Sequence, residues 1–162
     1  MTRHLLMVIL LVSSRTVMSS TPLPATLEEL ACGADHIFTA RVVEVDMVDK
    51  QGEIVAQPDA MTGPGLGNTI RLKLEVVKMH DSDRKETPAS VRVPLDNFMH
   101  YSLSSVREAH ADRTEEYLVF LQGYNYLPVI EGRFLWDIQD LEKAMKIRRE
   151  CEYRQEGVKP TE

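Results

Sequence analysis

His36-Ile-Phe-Thr-Ala-Arg-Val-Val-Glu-Val-Asp-Met-Val48 is a long strand-like stretch whose parity changes in the middle. Phe38, Ala40 and Val42 share one parity, whereas Val43, Val45 and Met47 share the other. Side chains in a strand alternate between two faces, so both sets can reach one core only if an extra residue lies between them. The stretch therefore reads as one strand with a bulge or sharp bend near Val42-Val43. A long bent first strand can pair at both ends, which suits a small closed or partly open barrel.

The segments around it fit that architecture. Thr26-Leu-Glu-Glu29 has capping-box spacing, which predicts a short helix from Thr26 through Leu27, Leu30 and Ala31 to a stop at Gly33. Asp49 to Gly67 carries Pro58, Gly63-Pro64-Gly65 and Gly67 and reads as a long loop or hairpin tip. Either Glu53 to Ala56 prolongs the sheet or the segment serves recognition. Ile70, Leu72, Leu74 and Val76 alternate with Arg71, Lys73 and Glu75 as a half-buried strand, expected beside the first one. A turn from His80 to Pro88 precedes a third strand, Val91 to Leu95, in which Pro94 calls for an edge or a strand end. Ser105-Val-Arg-Glu108 predicts a short helix from Ser105 to Ala111.

Glu116-Tyr-Leu-Val-Phe-Leu-Gln122 is nearly continuously apolar, as a central strand covered on both faces would be. Gly123-Tyr-Asn-Tyr126 is a turn, and Leu127 to Ile138 supplies one broken or two short final strands around Glu131-Gly-Arg133. Asp137 caps a closing helix with Ile138, Leu141, Ala144, Met145 and Cys151 near one face and a Glu142/Lys146 pair on the other. The expectation is a mainly β, five-stranded barrel spanning residues 21–154. It has a short N-terminal helix, a short helix between strands three and four that plugs one end, a C-terminal helix and a frayed tail over 155–162.

The first twenty residues read as an export signal: a basic start, the apolar run Leu5 to Val12, then small polar residues up to Ser20. Eight apolar residues fall short of the roughly 20 that span a bilayer, so no integral membrane anchor is expected. The formal net charge of −6, with 19 basic and 25 acidic residues, repels phosphate backbones and argues against nucleic acid. Cys32 and Cys151 are the two cysteines. In an oxidising compartment such a pair is either a disulfide or two buried thiols, and the export-type signal favours a Cys32–Cys151 disulfide.

Leu27 to Val45, the Ile70 to Val77 strand, and Glu115-Glu-Tyr-Leu-Val-Phe-Leu121 with its glycine turn carry a family likeness. The chain resembles the OB-fold module shared by tissue inhibitors of metalloproteinases and netrin C-terminal domains, and more nearly exported bacterial domains of that kind. The resemblance implies an OB-fold barrel. The metalloproteinase inhibitors reach the enzyme's zinc with a free N-terminal cysteine. Here Cys32 follows a dozen or so residues and the start of a helix, so no inhibitory residue carries over.

Catalytic signatures are missing at the level of motif. No Gly-x-Ser-x-Gly elbow occurs, Gly63 to Gly67 lacks the Lys-Ser or Lys-Thr of a phosphate loop, and Glu28-Glu29 and Glu115-Glu116 place neighbouring carboxylates on different faces. Of the histidines, His100 and His110, with Asp96, Glu108 and Asp112 nearby, form the one cluster worth testing for metal. No cofactor is expected. The aromatic residues Tyr101, Tyr124 and Tyr126, with Asn125, are the candidate ligand-binding set, since tyrosine on a loop buries area while keeping a polar tip. Phe98, Phe134 and Trp136 join the same aromatic group, whose alternative role is to pack over the barrel mouth. These readings favour a secreted or periplasmic noncatalytic module binding a protein or glycan. The alternatives are a small metal-binding protein or enzyme using the 96–113 connector, or a structural module of a surface assembly.

Overall fold

The computed structural model describes residues 25–155. The export-type segment 1–20 and most of the tail lie outside them. The order is α1 (Leu27–Gly33), β1 (His36–Val48), β2 (Thr69–Ser82), β3 (Ser90–Pro94), α2 (Leu103–Ala109), β4 (Glu116–Gln122), β5 (Leu127–Pro128), β6 (Leu135–Asp137), a 3-10 turn (Ile138–Asp140) and α3 (Leu141–Gln155). All strand pairings are antiparallel, in the order β3-β2-β1-β4-β5, with β6 also on β4.

β1 pairs with β2 along its whole length but with β4 only from His36 to Arg41. The register shifts between Val42 and Glu44, so Val43 is the extra residue. Phe38, Ala40 and Val42 before the bulge, and Val45 and Met47 after it, all enter one core with Ile70, Leu72 and Leu74 of β2. The parity change in the sequence is this bulge. The other face of β1's first half carries Ile37 into a second core with Leu118 and Phe120 of β4, beneath α1 and α3. β4 thus sends Val119 and Leu121 one way and Leu118 and Phe120 the other, which accounts for its continuous apolar run. Each such side chain contributes about 1.5–3 kcal/mol by leaving water.

The capping box is formed: Thr26 Oγ1 accepts from Glu29 N at 3.1 Å, and Glu29 Oε2 accepts from Thr26 N at 2.8 Å. Cys32 of α1 and Cys151 of α3 form a disulfide with Cα atoms 5.6 Å apart, joining the two helices over the second core. Among the described residues no helix is long and apolar enough to cross a membrane.

Five expectations need correction. Among the described residues there are six strands rather than five, and no ladder joins β3 to β5, so the sheet they form is not closed by hydrogen bonds. β2 does not turn at His80 but continues to Ser82, because β1 offers a partner as far as His36. α2 begins at Leu103, not Ser105; its N-cap is Ser102, whose Oγ accepts from Ser105 N, and this earlier start buries Leu103 and Val106. Asp137 caps the 3-10 turn that leads into α3. Lys146 meets Glu150 at 3.9 Å rather than Glu142.

Candidate functional site

The end of the sheet where β1 starts holds a turn with unusually many fixed contacts. Gly123 has φ 67° and Tyr126 φ 54°, both in the left-handed region that glycine tolerates and a tyrosine adopts only under constraint. The constraint comes from β1 and its approach. Asp35 Oδ2 accepts from Gly123 N at 2.6 Å, and His36 Nε2 donates to the Gly123 carbonyl at 3.1 Å. His36 Nδ1 shares a proton with Ser82 Oγ at 2.9 Å, and that oxygen also accepts from Arg84 N at 3.1 Å. The His36 ring lies 4.6 Å from that of Tyr126, which is 9 % exposed and closes the first core.

Tyr124 has the opposite setting. It is 83 % exposed, and the guanidinium of Arg84 lies 3.6 Å from its ring centroid. Arg84 is fixed in turn by donating to the Tyr124 carbonyl at 2.6 Å and to Tyr126 Oη at 3.4 Å. The product is a flat cation–aromatic surface on a braced turn, able to stack on an apolar or sugar face while its polar rim donates hydrogen bonds. Arg84 carried no signal in the sequence. It follows the strand that was expected to have ended by His80.

Tyr101 is elsewhere. It sits at the Val48 end of β1, where Thr62 N donates to the Tyr101 carbonyl at 2.9 Å and Thr62 Oγ1 accepts from Tyr101 N at 3.1 Å. Burial, then the neighbouring Asp96, pushes its phenol above the ordinary value. The structure therefore brings Tyr124, Asn125 and Tyr126 together and places Tyr101 with the 60–63 loop. The remaining aromatics divide too: Phe98 is 75 % exposed and Phe134 is 1 % exposed, while Trp136 Nε1 donates to Asp140 at 2.8 Å.

The connector's two histidines also part. His100 Nδ1 meets the Thr62 carbonyl at 3.2 Å, and its ring occupies the space a side chain at Gly63 would need. His110 stands at the end of α2 between a groove of about 620 Å³, floored by Val43 to Asp46, and a cavity of about 300 Å³ against Leu72, Leu95 and Phe134. Its Nδ1 is buried with no hydrogen-bond partner among the described residues. Burial holds its pKa below the ordinary histidine value, and Glu115 offsets part of that. Among the described residues no three His, Cys, Asp or Glu side chains are grouped to hold a metal ion. No family model matches the chain, and no curated protein is similar enough to it to count as a relative.

Proposed function

We propose that this chain is a noncatalytic binding module of OB-fold type, acting in an oxidising compartment outside the cytoplasm and holding a protein or glycan on the Gly123–Tyr126 turn. The OB-fold reading is supported by a bent β1 that pairs with both β2 and β4. It is supported also by the edges of β3 and β5, which flank one cavity of about 340 Å³ and so lie at the two sides of a partly open barrel. The reading also agrees with the likeness of Leu27 to Val45, Ile70 to Val77 and Glu115 to Leu121 to the tissue-inhibitor and netrin modules. The disulfide and the export-type start support the compartment.

The observation that carries the function is the exposed Tyr124–Arg84 stack on a turn braced by Asp35 and His36. A surface that is already ordered loses little entropy on binding, and tyrosine and arginine are the residues that dominate contact energies. The test compares labelled wild type with Tyr124→Ala over a glycan array and an envelope-protein extract. Wild type should give discrete signals that fall tenfold or more in the variant, about 1.4 kcal/mol, at equal melting temperature. Indistinguishable profiles would remove the turn from the function.

One observation favours the metal-binding or enzymatic alternative at 96–113, namely the unpartnered Nδ1 of His110 between two cavities. Metal analysis of the purified protein separates the two readings. A stoichiometric metal lost in His100→Ala/His110→Ala would replace the first reading with the second.

A further inference from the structure

The two ends of the Cys32–Cys151 bridge have unequal surroundings. Cys32 is half-buried in the last turn of α1 and is followed by the exposed Gly33, which has no side chain to screen it. Cys151 of α3 is 5 % exposed. A thiol that opens a disulfide must reach one of its sulfurs, so access favours attack at Cys32.

The charges point the same way. Arg154, one turn beyond Cys151, donates from Nη2 to Cys151 Sγ at 3.5 Å. The guanidinium is held on both sides, Nε donating to the Glu150 carbonyl at 3.3 Å and Nη2 to Glu28 Oε1 at 3.2 Å. The charged group one turn before Cys32, on the same face of α1, is instead the carboxylate of Glu28. Cys32 also lies in the last turn of its helix, where the dipole disfavours a thiolate, whereas α3 runs on for a further turn beyond Cys151. Exchange quickens when the departing sulfur is stabilised as a thiolate, and Arg154 offers that at Cys151.

We infer that Cys32 is a site of modification by small thiols. An external thiolate attacks Cys32 Sγ; a sulfur–sulfur bond forms there as the Cys32–Cys151 bond breaks, and the electron pair leaves on Cys151 Sγ beside Arg154. The attacking sulfur is oxidised and the Cys151 sulfur reduced, so one disulfide and one thiolate stand on each side of the step. The opening is local. Ala144 is fully buried in the second core and Arg148 Nε donates to Asp81 at 2.8 Å, which keeps the first part of α3 in place. Beyond Arg148 the described links to α1 are the bridge and the Arg154–Glu28 pair, so the last turn swings out while the core stays closed. The site shares no residue with the Tyr124–Arg84 surface and goes beyond the function proposed above.

Reduced glutathione is the probe. The purified, oxidised protein is exposed to it briefly, free thiols are blocked with N-ethylmaleimide, and the two cysteine peptides are weighed by mass spectrometry. Glutathione on Cys32 with maleimide on Cys151 should exceed the reverse pattern about tenfold or more. Arg154→Gln should slow opening about threefold or more, and Arg154→Lys should restore most of the rate. Arg154 is exposed, and the melting temperature of the oxidised variants serves as the folding control. In urea both the preference and the effect of Arg154 should vanish, because access and the placed guanidinium are lost together. Glutathione mainly on Cys151, or evenly on both, overturns the inference. So does an Arg154→Gln protein that opens at the wild-type rate, or a preference that persists in urea and so comes from local sequence alone.

Discussion

At the scale of single residues, the strongest polar contacts surround Asp46. Its carboxylate accepts from Arg71 Nε at 2.7 Å and Nη2 at 2.9 Å, and from Arg92 Nε at 3.1 Å. Burial alone pushes this carboxyl up, but the hydrogen bonds and charges of the two arginines together outweigh it and hold the pKa below the ordinary value. Asp46→Ala takes from Arg71 its carboxylate partner and leaves Arg92 with Glu44 alone, and should cost about 2 kcal/mol in urea unfolding. Lys73 touches Glu44 at 3.5 Å with both side chains substantially exposed, so Lys73→Ala should stay within about 0.5 kcal/mol. Equal losses would show that the Asp46 network is no more than a surface pairing.

Two half-buried histidines contribute a pH response. His80 and His110 are both lowered from 6.5, chiefly by burial, with Lys78 adding to the shift at His80. In that window the unfolded chain binds more protons than the folded one, so stability is full above 6.5 and falls as pH drops through 6.5 towards the lowered values. Urea midpoints measured from neutral pH downwards should decline, and His80→Gln/His110→Gln should flatten the decline. An unchanged slope in the double variant would assign the effect to other groups.

At the scale of elements, the bulge at Val43 lets one strand serve two registers. Removing that residue would give β1 one unbroken alternation, with Val42, Val45 and Met47 still facing the first core opposite Leu74, Leu72 and Ile70, but would take out the local bend. Inserting one more residue after Val43 would instead turn Val45 and Met47, now 8 % and 0 % exposed, away from the core. An Ala inserted after Val43 should therefore fail to give a cooperatively folded protein by circular dichroism and thermal melting, whereas a Val43 deletion should still melt cooperatively. A native-like melt of the insertion variant would mean that β1 can slip without penalty. The bulge also explains why β4 leaves β1 after Arg41, since the bent half of β1 turns towards α2, where Arg107 Nε donates to the Val45 carbonyl at 3.1 Å.

At the scale of the whole molecule, the Cys32–Cys151 bridge joins residues 119 apart and thereby ties the first helix to the last. On the chain-entropy account, a loop of that length raises stability by up to about 4–5 kcal/mol, a large share of what a small domain has. Cys32→Ser/Cys151→Ser should lower the melting temperature clearly, and reductant should lower that of the wild type to a similar level. A wild type whose melt ignores reductant, with two thiols titrating after denaturation, would contradict the bridge. Because α1 and α3 cover the second core together, loss of the bridge should loosen that side first and leave the β1–β2 core protected in hydrogen exchange.

What residues 36–48 determined by themselves was the bulge, because parity is a local property that states which side chains share a face. The cap at Thr26 and the doubly covered β4 were legible on the same ground, from spacing and from a run without polar interruption. Partnership across space was not. Lys78-Met-His-Asp-Ser82 has no alternation to mark it as strand, and it extends β2 only because β1 lies alongside and Arg148 reaches Asp81 at 2.8 Å. The start of α2 moved to Ser102 because Leu103 had a core to enter, which a capping pattern cannot register. The tyrosines that looked like one set are divided between opposite ends of β1, and Arg84 became part of the candidate site only once β2 ran on to Ser82. The reason is common to all of these: a short sequence window encodes which face is apolar, whereas strand order and register decide which distant residues that face meets.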